Sequence, residues 1–196
     1  MKKIEIIWRE ILFSGLEEGE RRFEQKKLAL KFGFSTSTVF QALKMPRQMG
    51  AVRVTGRFFI LEDPEKLLYY WASVRNLEKD ILTSFRVGET VLSTEGKMPS
   101  EVIFGAYSSA RMVLETPPAD YDKIYVYSNK PDEIKERFLV QKRNPNLFVL
   151  KRDEFLVNYG QKTCLAQTFV DLWNLKDWYA KEYAKAVKEK IDTILS

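Results

Sequence analysis

A chain of 196 residues, 45% apolar and 30% charged, is long enough to bury a core and too apolar to be a disordered tail. With no histidine and a single cysteine, it lacks the side chains for a Cys/His zinc site or an imidazole-based triad, and no internal disulfide can form. The net charge of +5 is uneven: residues 1–76 carry 14 Lys and Arg against 9 Asp and Glu, whereas residues 77–196 carry 18 of each kind.

No apolar run approaches the ~18 residues that a membrane span needs, and the N-terminus shows no small-residue cleavage site. The expected location is therefore the cytoplasm, with no membrane partner. Neither GxGxxG nor GxxxxGK occurs, so the common phosphate-binding loops are missing as well.

In chain order, "KKIEIIWREIL" sets Ile4, Ile7, Trp8, Ile11 and Leu12 on one face and predicts a first helix; "GLEEGERR" reads as a loop. In "EQKKLALKFG", Leu28, Ala29 and Phe32 share a helical face, and Gly33 supplies a residue that tolerates positive φ at a helix C-terminus. Ser35 then suits an N-cap, its hydroxyl placed to accept from a backbone N–H near Thr38, and Val39, Ala42 and Leu43 give the next helix its buried stripe. Pro46 has no N–H and clashes with the preceding turn, which predicts a break near Met45. "AVRVTGRFFILED" alternates Val52 and Val54 with Arg53 and Thr55, turns at Gly56 and resumes from Phe58 to Leu61, a β-hairpin pattern.

Nine basic side chains lie between Arg21 and Arg57 with Glu24 as the single acid, an electrostatic footprint suited to phosphates. The second helix of the pair leaves Thr36, Ser37, Phe40, Gln41 and Lys44 facing outward, next to Ser35. Hydroxyls donate or accept at major-groove base edges, Gln pairs with adenine through two bonds, and an aromatic ring touches a thymine methyl. Arg47, Arg53 and Arg57 complete the expected DNA-binding set, the two hairpin arginines being placed for backbone phosphate or the minor groove. Residues 20–63, marked by Ala29, Gly33, Val39, Leu43 and "MGAV", resemble the winged helix-turn-helix family, which implies double-stranded DNA as the partner.

Pro64 opens "PEKLLYYWASVRNLEKDILTSF", a helix-like run that links or braces a second domain. The charge balance changes near residue 76. The expected fold is α+β, with an N-terminal winged helix-turn-helix domain over 1–76, linking helix included, and a mixed α/β domain over 77–196 ending in two helices. In the second half, "EVIF" reads as a strand ending at Gly105, "AYSSARMVL" as a helix and "KIYVYS" as a strand. "PDEIKERF" comes next as a short helix, "NLFVLKRDEF" as a third strand, and 163–195 as two closing helices. In the last of these, Tyr183, Ala184, Val187, Ile191 and Leu195 form a core-facing stripe. Cys164 reads as a small buried hydrophobe and Trp173 as core, although Trp173 and Trp178 are also of the type that anchors protein partners.

This succession of elements resembles the C-terminal domain of AbiEi-family antitoxins of type IV toxin-antitoxin systems, in which a winged helix precedes such a domain. The resemblance implies a DNA-binding transcriptional regulator that represses its own operon and neutralises a nucleotidyltransferase-type toxin, without enzymatic activity and without a cofactor. It assigns no antitoxin residues. Two other readings stand beside it. One is a stand-alone regulator whose C-terminal domain senses a ligand or forms a homodimer. The other is an Mg²⁺-dependent nucleotidyltransferase in which Asp120 and Asp122, downstream of Gly105, hold the ion with Asp153 or Glu154 as the third acid. The pattern departs from that family: Ala106 replaces a hydroxyl residue and "ETPPAD" inserts prolines, and Asp120 and Asp122 also fit a turn before a strand.

Overall fold

A computed structural model describes residues 1–196 as a mixed α+β chain with two sheets. The first part runs α1 (Lys3–Glu17), β1 (Arg22–Phe23), α2 (Gln25–Phe32), α3 (Thr36–Gln48), β2 (Val52–Thr55), β3 (Phe58–Leu61) and α4 (Pro64–Val74). β3 lies between β1 and β2 and is antiparallel to both, with Phe59 opposite Phe23 on one side and Val54 on the other. α1 continues through Glu17 and β1 begins at Arg22, both inside the stretch read as a loop. Ile7, Trp8, Ile11 and Leu12 of α1 are buried as their spacing predicts, and each side chain of this size contributes ~1.5–3 kcal/mol on burial.

α2 ends where Gly33 adopts φ of 60°, and its amide and that of Phe34 return to carbonyls of the last helical turn. A Cβ at Gly33 would be strained by the backbone alone. The chain re-enters helix at Thr36, three residues later, with the Ser35 hydroxyl accepting from the Thr38 amide at 3.1 Å.

Pro46 does not break α3, which runs unbroken from Thr36 to Gln48. A proline there deprives the Ala42 carbonyl of its helical donor. The buried indole N–H of Trp8 supplies the replacement, donating to that carbonyl at 2.7 Å. Phenylalanine in place of Trp8 keeps most of the apolar volume and orphans the carbonyl. The expected loss is ~1–3 kcal/mol of stability, read as a lower midpoint in urea unfolding; an unchanged midpoint would refute this account of the continuous helix.

After a 3₁₀ turn at Leu77–Asp80 come β4 (Ile81–Val87), α5 (Val91–Gly96), β5 (Ile103–Gly105), α6 (Ala106–Val113), β6 (Ile124–Tyr127) and α7 (Pro131–Lys135). β7 (Val140–Gln141), β8 (Leu147–Leu150), α8 (Leu165–Trp173) and α9 (Ala180–Leu195) complete the chain. The five strands are ordered β5-β6-β8-β4-β7, with β6 and β8 parallel and every other pair antiparallel. Two stretches differ from the sequence pattern. The helix-like run from Pro64 stops at Val74 and its distal part is β4, while the strand read through Phe155 ends at Leu150.

β6 is buried on both faces. Ile124 and Val126 pack with Phe85, Val87, Leu147 and Val149 under α7, whereas Tyr125 and Tyr127 belong to the core that contains α6 and α8. That second core is continuous with the N-terminal elements: one buried apolar cluster runs from Ile6 to Ile191 and spans the charge boundary near residue 76.

Two buried arginines cross the same junction. Arg9 of α1 forms a bidentate pair with Asp153 at 2.7 and 2.8 Å and donates to Gln167 of α8 at 3.2 Å. Burial alone would raise the Asp153 carboxyl, but the Arg9 guanidinium outweighs it and holds the pKa below the usual value. Arg75, just past α4, contacts Asp80 at 2.6 Å, Glu5 of α1 at 3.4 Å and Asp171 of α8 at 3.5 Å. Asp171 also accepts from the buried Tyr127 hydroxyl at 2.6 Å.

Candidate nucleic-acid interface

Buried and exposed residues of α3 separate by helical period. Val39, Ala42, Leu43 and Pro46 face the core. The opposite face carries Thr36, Phe40, Lys44 and Arg47 on one row and Ser37, Gln41 and Gln48 on the next, all exposed. That surface contains no acid. Phe40 is 53% exposed, a large cost for an unpartnered ring, and with Lys44, Arg47, Gln48, Gln25 and Val54 it lines a hollow of about 310 Å³ between α3, the start of α2 and the hairpin.

Ser35 differs from its neighbours: its hydroxyl caps α3 and sits 2.9 Å from the Thr38 hydroxyl, so its capacity is largely used. The free amides of the first helical turn and the helix dipole nevertheless make this end favourable to an anion.

The hairpin divides its two arginines. Strand alternation puts Arg53 on the face opposite Val54, and its guanidinium is held by Glu62 at 2.6 Å. Arg57 sits in the two-residue turn between Thr55 and Phe58 with no carboxylate in ion-pairing range. Arg22 stacks on the Phe58 ring at 3.5 Å, beside that turn. Of the other basic residues, Lys27 pairs with Glu24 at 2.8 Å and Lys31 with the buried Glu10. The Lys27 hydrogen bond lowers the Glu24 pKa, so this single acid of the segment stays ionised. Arg21, Arg22, Lys26, Lys44, Arg47 and Arg57 form no ion pair.

Sequence reasoning missed Gln48 and Gln25, which share the hollow with Phe40. The signal for Gln48 was its place four residues after Lys44, hidden by the expectation that α3 ends before Pro46.

The carboxylates of the nucleotidyltransferase pattern do not converge. Asp122 accepts from Tyr179 at 2.8 Å, Asp153 is bound to Arg9, and no group of three His, Cys, Asp or Glu side chains stands close enough to hold a metal ion. Gly105 answers to packing, since a Cβ there would lie 2.9 Å from the Tyr127 ring. Cys164 is buried, and desolvation pushes its thiol up to about 12. Trp173, expected in the core, is half-exposed beside Tyr69 and Phe169, and Trp178 is exposed. No helix is long and apolar enough to cross a membrane.

No family model, curated protein or solved structure matches the chain.

Proposed function

We propose that residues 1–76 form a winged helix-turn-helix domain that reads duplex DNA, with α3 in the major groove, the β2–β3 hairpin as the wing, and residues 77–196 as a second functional part. The observation that carries the reading is the acid-free outer face of α3, where hydroxyls, amides, one ring and two unpaired cations stand together beside a hairpin tipped by Arg57. The order of elements supports it: a helix, a short strand, two helices joined by a tight turn, then a hairpin whose second strand pairs with the first strand.

The residues divide into readers and anchors. Gln41, with Thr36, Ser37 and Phe40, meets base edges; Lys44, Arg47 and Arg57 meet phosphates. Arg53, engaged with Glu62, contributes less than Arg57. In this reading the protein is a cytoplasmic transcriptional regulator that represses its own operon. Its second part acts as an antitoxin toward a nucleotidyltransferase-type toxin, a role that rests on the order of elements in residues 77–196 and is tested by co-expression with such a toxin.

Binding of the purified protein to a labelled fragment of its own upstream DNA, titrated with salt and challenged with unrelated duplex, tests the reader. Specific binding that weakens steeply with salt is expected, because each phosphate contact releases counterions. Arg57→Ala is expected to weaken binding to every sequence and flatten the salt dependence, whereas Gln41→Ala is expected to change sequence preference by roughly 1–3 kcal/mol. Indistinguishable profiles for the two variants would remove the division of roles, and no preference over unrelated duplex would remove the reader.

A further inference from the structure

α4, α8 and α9 enclose an open groove of about 690 Å³ on the side of the molecule built by the last two helices. Its floor is apolar, with Phe169 and Leu172 from α8, and it is widened where α9 presents only Ala180 and Ala184. Tyr69 of α4 and Trp173 form one wall, their ring centroids 5.5 Å apart. Trp173 is 52% exposed and Trp178, just beyond, 78%. Large aromatic side chains left in water around an apolar floor mark an unfilled protein interface.

The rim identifies the occupant. Along α9 the groove is edged first by Lys181, Lys185 and Lys188, then by Glu189 and Asp192, while Asp177, at the start of this edge, is taken up by Lys123 and the Tyr107 hydroxyl. An edge whose exposed charges are cationic at one end and anionic at the other complements neither a polyanion nor a polycation. It complements its own reversed copy. We propose that a second copy of this chain docks here, pairing its α9 antiparallel to the first about a two-fold axis between Lys188 and Glu189.

In that arrangement each exposed Lys185 faces the exposed Asp192 of the second copy. The final turn of the second copy then lies over the alanine-lined part of the groove, beside Trp173. Within one chain Lys188, 13% exposed, bridges Glu65 and Asp192 and stays with its own chain, whereas Lys185 stands 3.8 Å from Glu189 with both side chains exposed. An exposed pair of that kind contributes little, so turning Lys185 toward the second copy costs little. The same residues meet from both sides, as an isologous two-fold contact requires. Docking at this groove does not depend on DNA binding.

Sedimentation of the full chain without DNA, from about 1 to about 100 µM, tests it. A dimer is expected, weakened about tenfold or more by Trp173→Ala and by Lys185→Glu, and recovered in the double charge swap Lys185→Glu with Asp192→Lys. All three positions lie at the surface, and an unchanged circular dichroism spectrum verifies that each variant folds. A monomer at every concentration overturns the proposal and leaves the groove to another kind of occupant. A dimer that Trp173→Ala leaves within twofold of the parent, or one that the double swap fails to recover, overturns the proposed interface.

Discussion

Replacing Arg75 by methionine is expected to destabilise the protein by about 3–5 kcal/mol near neutral pH, because it strips three carboxylates of a shared buried counter-ion. The Arg75 side chain is 2% exposed, and Glu5, Asp80 and Asp171 come from α1, the 3₁₀ turn and α8. Methionine fills similar volume, so the loss reports the charge and not a cavity. Acidity provides the discriminating arm. Burial raises the pKa of Asp171 to about 6, against the opposing pull of Arg75 and the Tyr127 hydroxyl. An acid whose folded pKa exceeds its unfolded value stabilises the fold fully only below the unfolded pKa, and that contribution is lost as pH rises through about 6. Without Arg75 the folded pKa rises further. The variant should therefore regain stability on going from about pH 7.5 to about pH 5, more steeply than the parent. Urea unfolding at both pH values checks this, and a loss that stays constant with pH would dismiss the charge explanation.

The double charge reversal Lys44→Glu with Arg47→Glu is expected to reduce DNA affinity at least about 100-fold at low salt. Both side chains lie on the exposed face of α3 and neither has an ion-pair partner to lose. In the proposed mode of binding, two attractive phosphate contacts become two repulsive ones, and the slope of log affinity against log salt falls by roughly 0.9 for each contact removed. Fold stability should be nearly unaffected, which separates this variant from a merely unfolded one. Retention of affinity within about threefold would place the phosphates elsewhere on the molecule.

Residues 25–61 were legible because their signals are local. Gly33 and Ser35 stop and start helices within three residues, and Val52 to Leu61 alternates over a two-residue turn. Pro46 misled because its compensation is not local: the indole that satisfies the Ala42 carbonyl belongs to Trp8, more than thirty residues earlier. β4 misled for a different reason. Leu77, Ile81 and Phe85 fall four apart and imitate a helical stripe, whereas the burial of Phe85 and Val87 around Arg86 obeys the period of a strand. β1 and β7 have only two residues each, too few for any periodic signal. At the candidate interface, the exposed residues of α3 followed from its period. The difference between Arg53 and Arg57 did not, because it depends on Glu62 closing across the hairpin.

α1 also bears on how the chain is made. On one side it meets α3, through Trp8 and Ala42, and on the other it meets α8, through Arg9 and Gln167. During synthesis the helices that present α3 emerge first, while the acceptors for Arg9 at Asp153 and Gln167 leave the ribosome much later. A nascent chain ending near residue 76 must hold that guanidinium in water, since an unpaired charge is not buried. The final seating of α1 thus awaits translation of α8, and a chain that ends near residue 76 is expected to be cut faster by protease than the full chain.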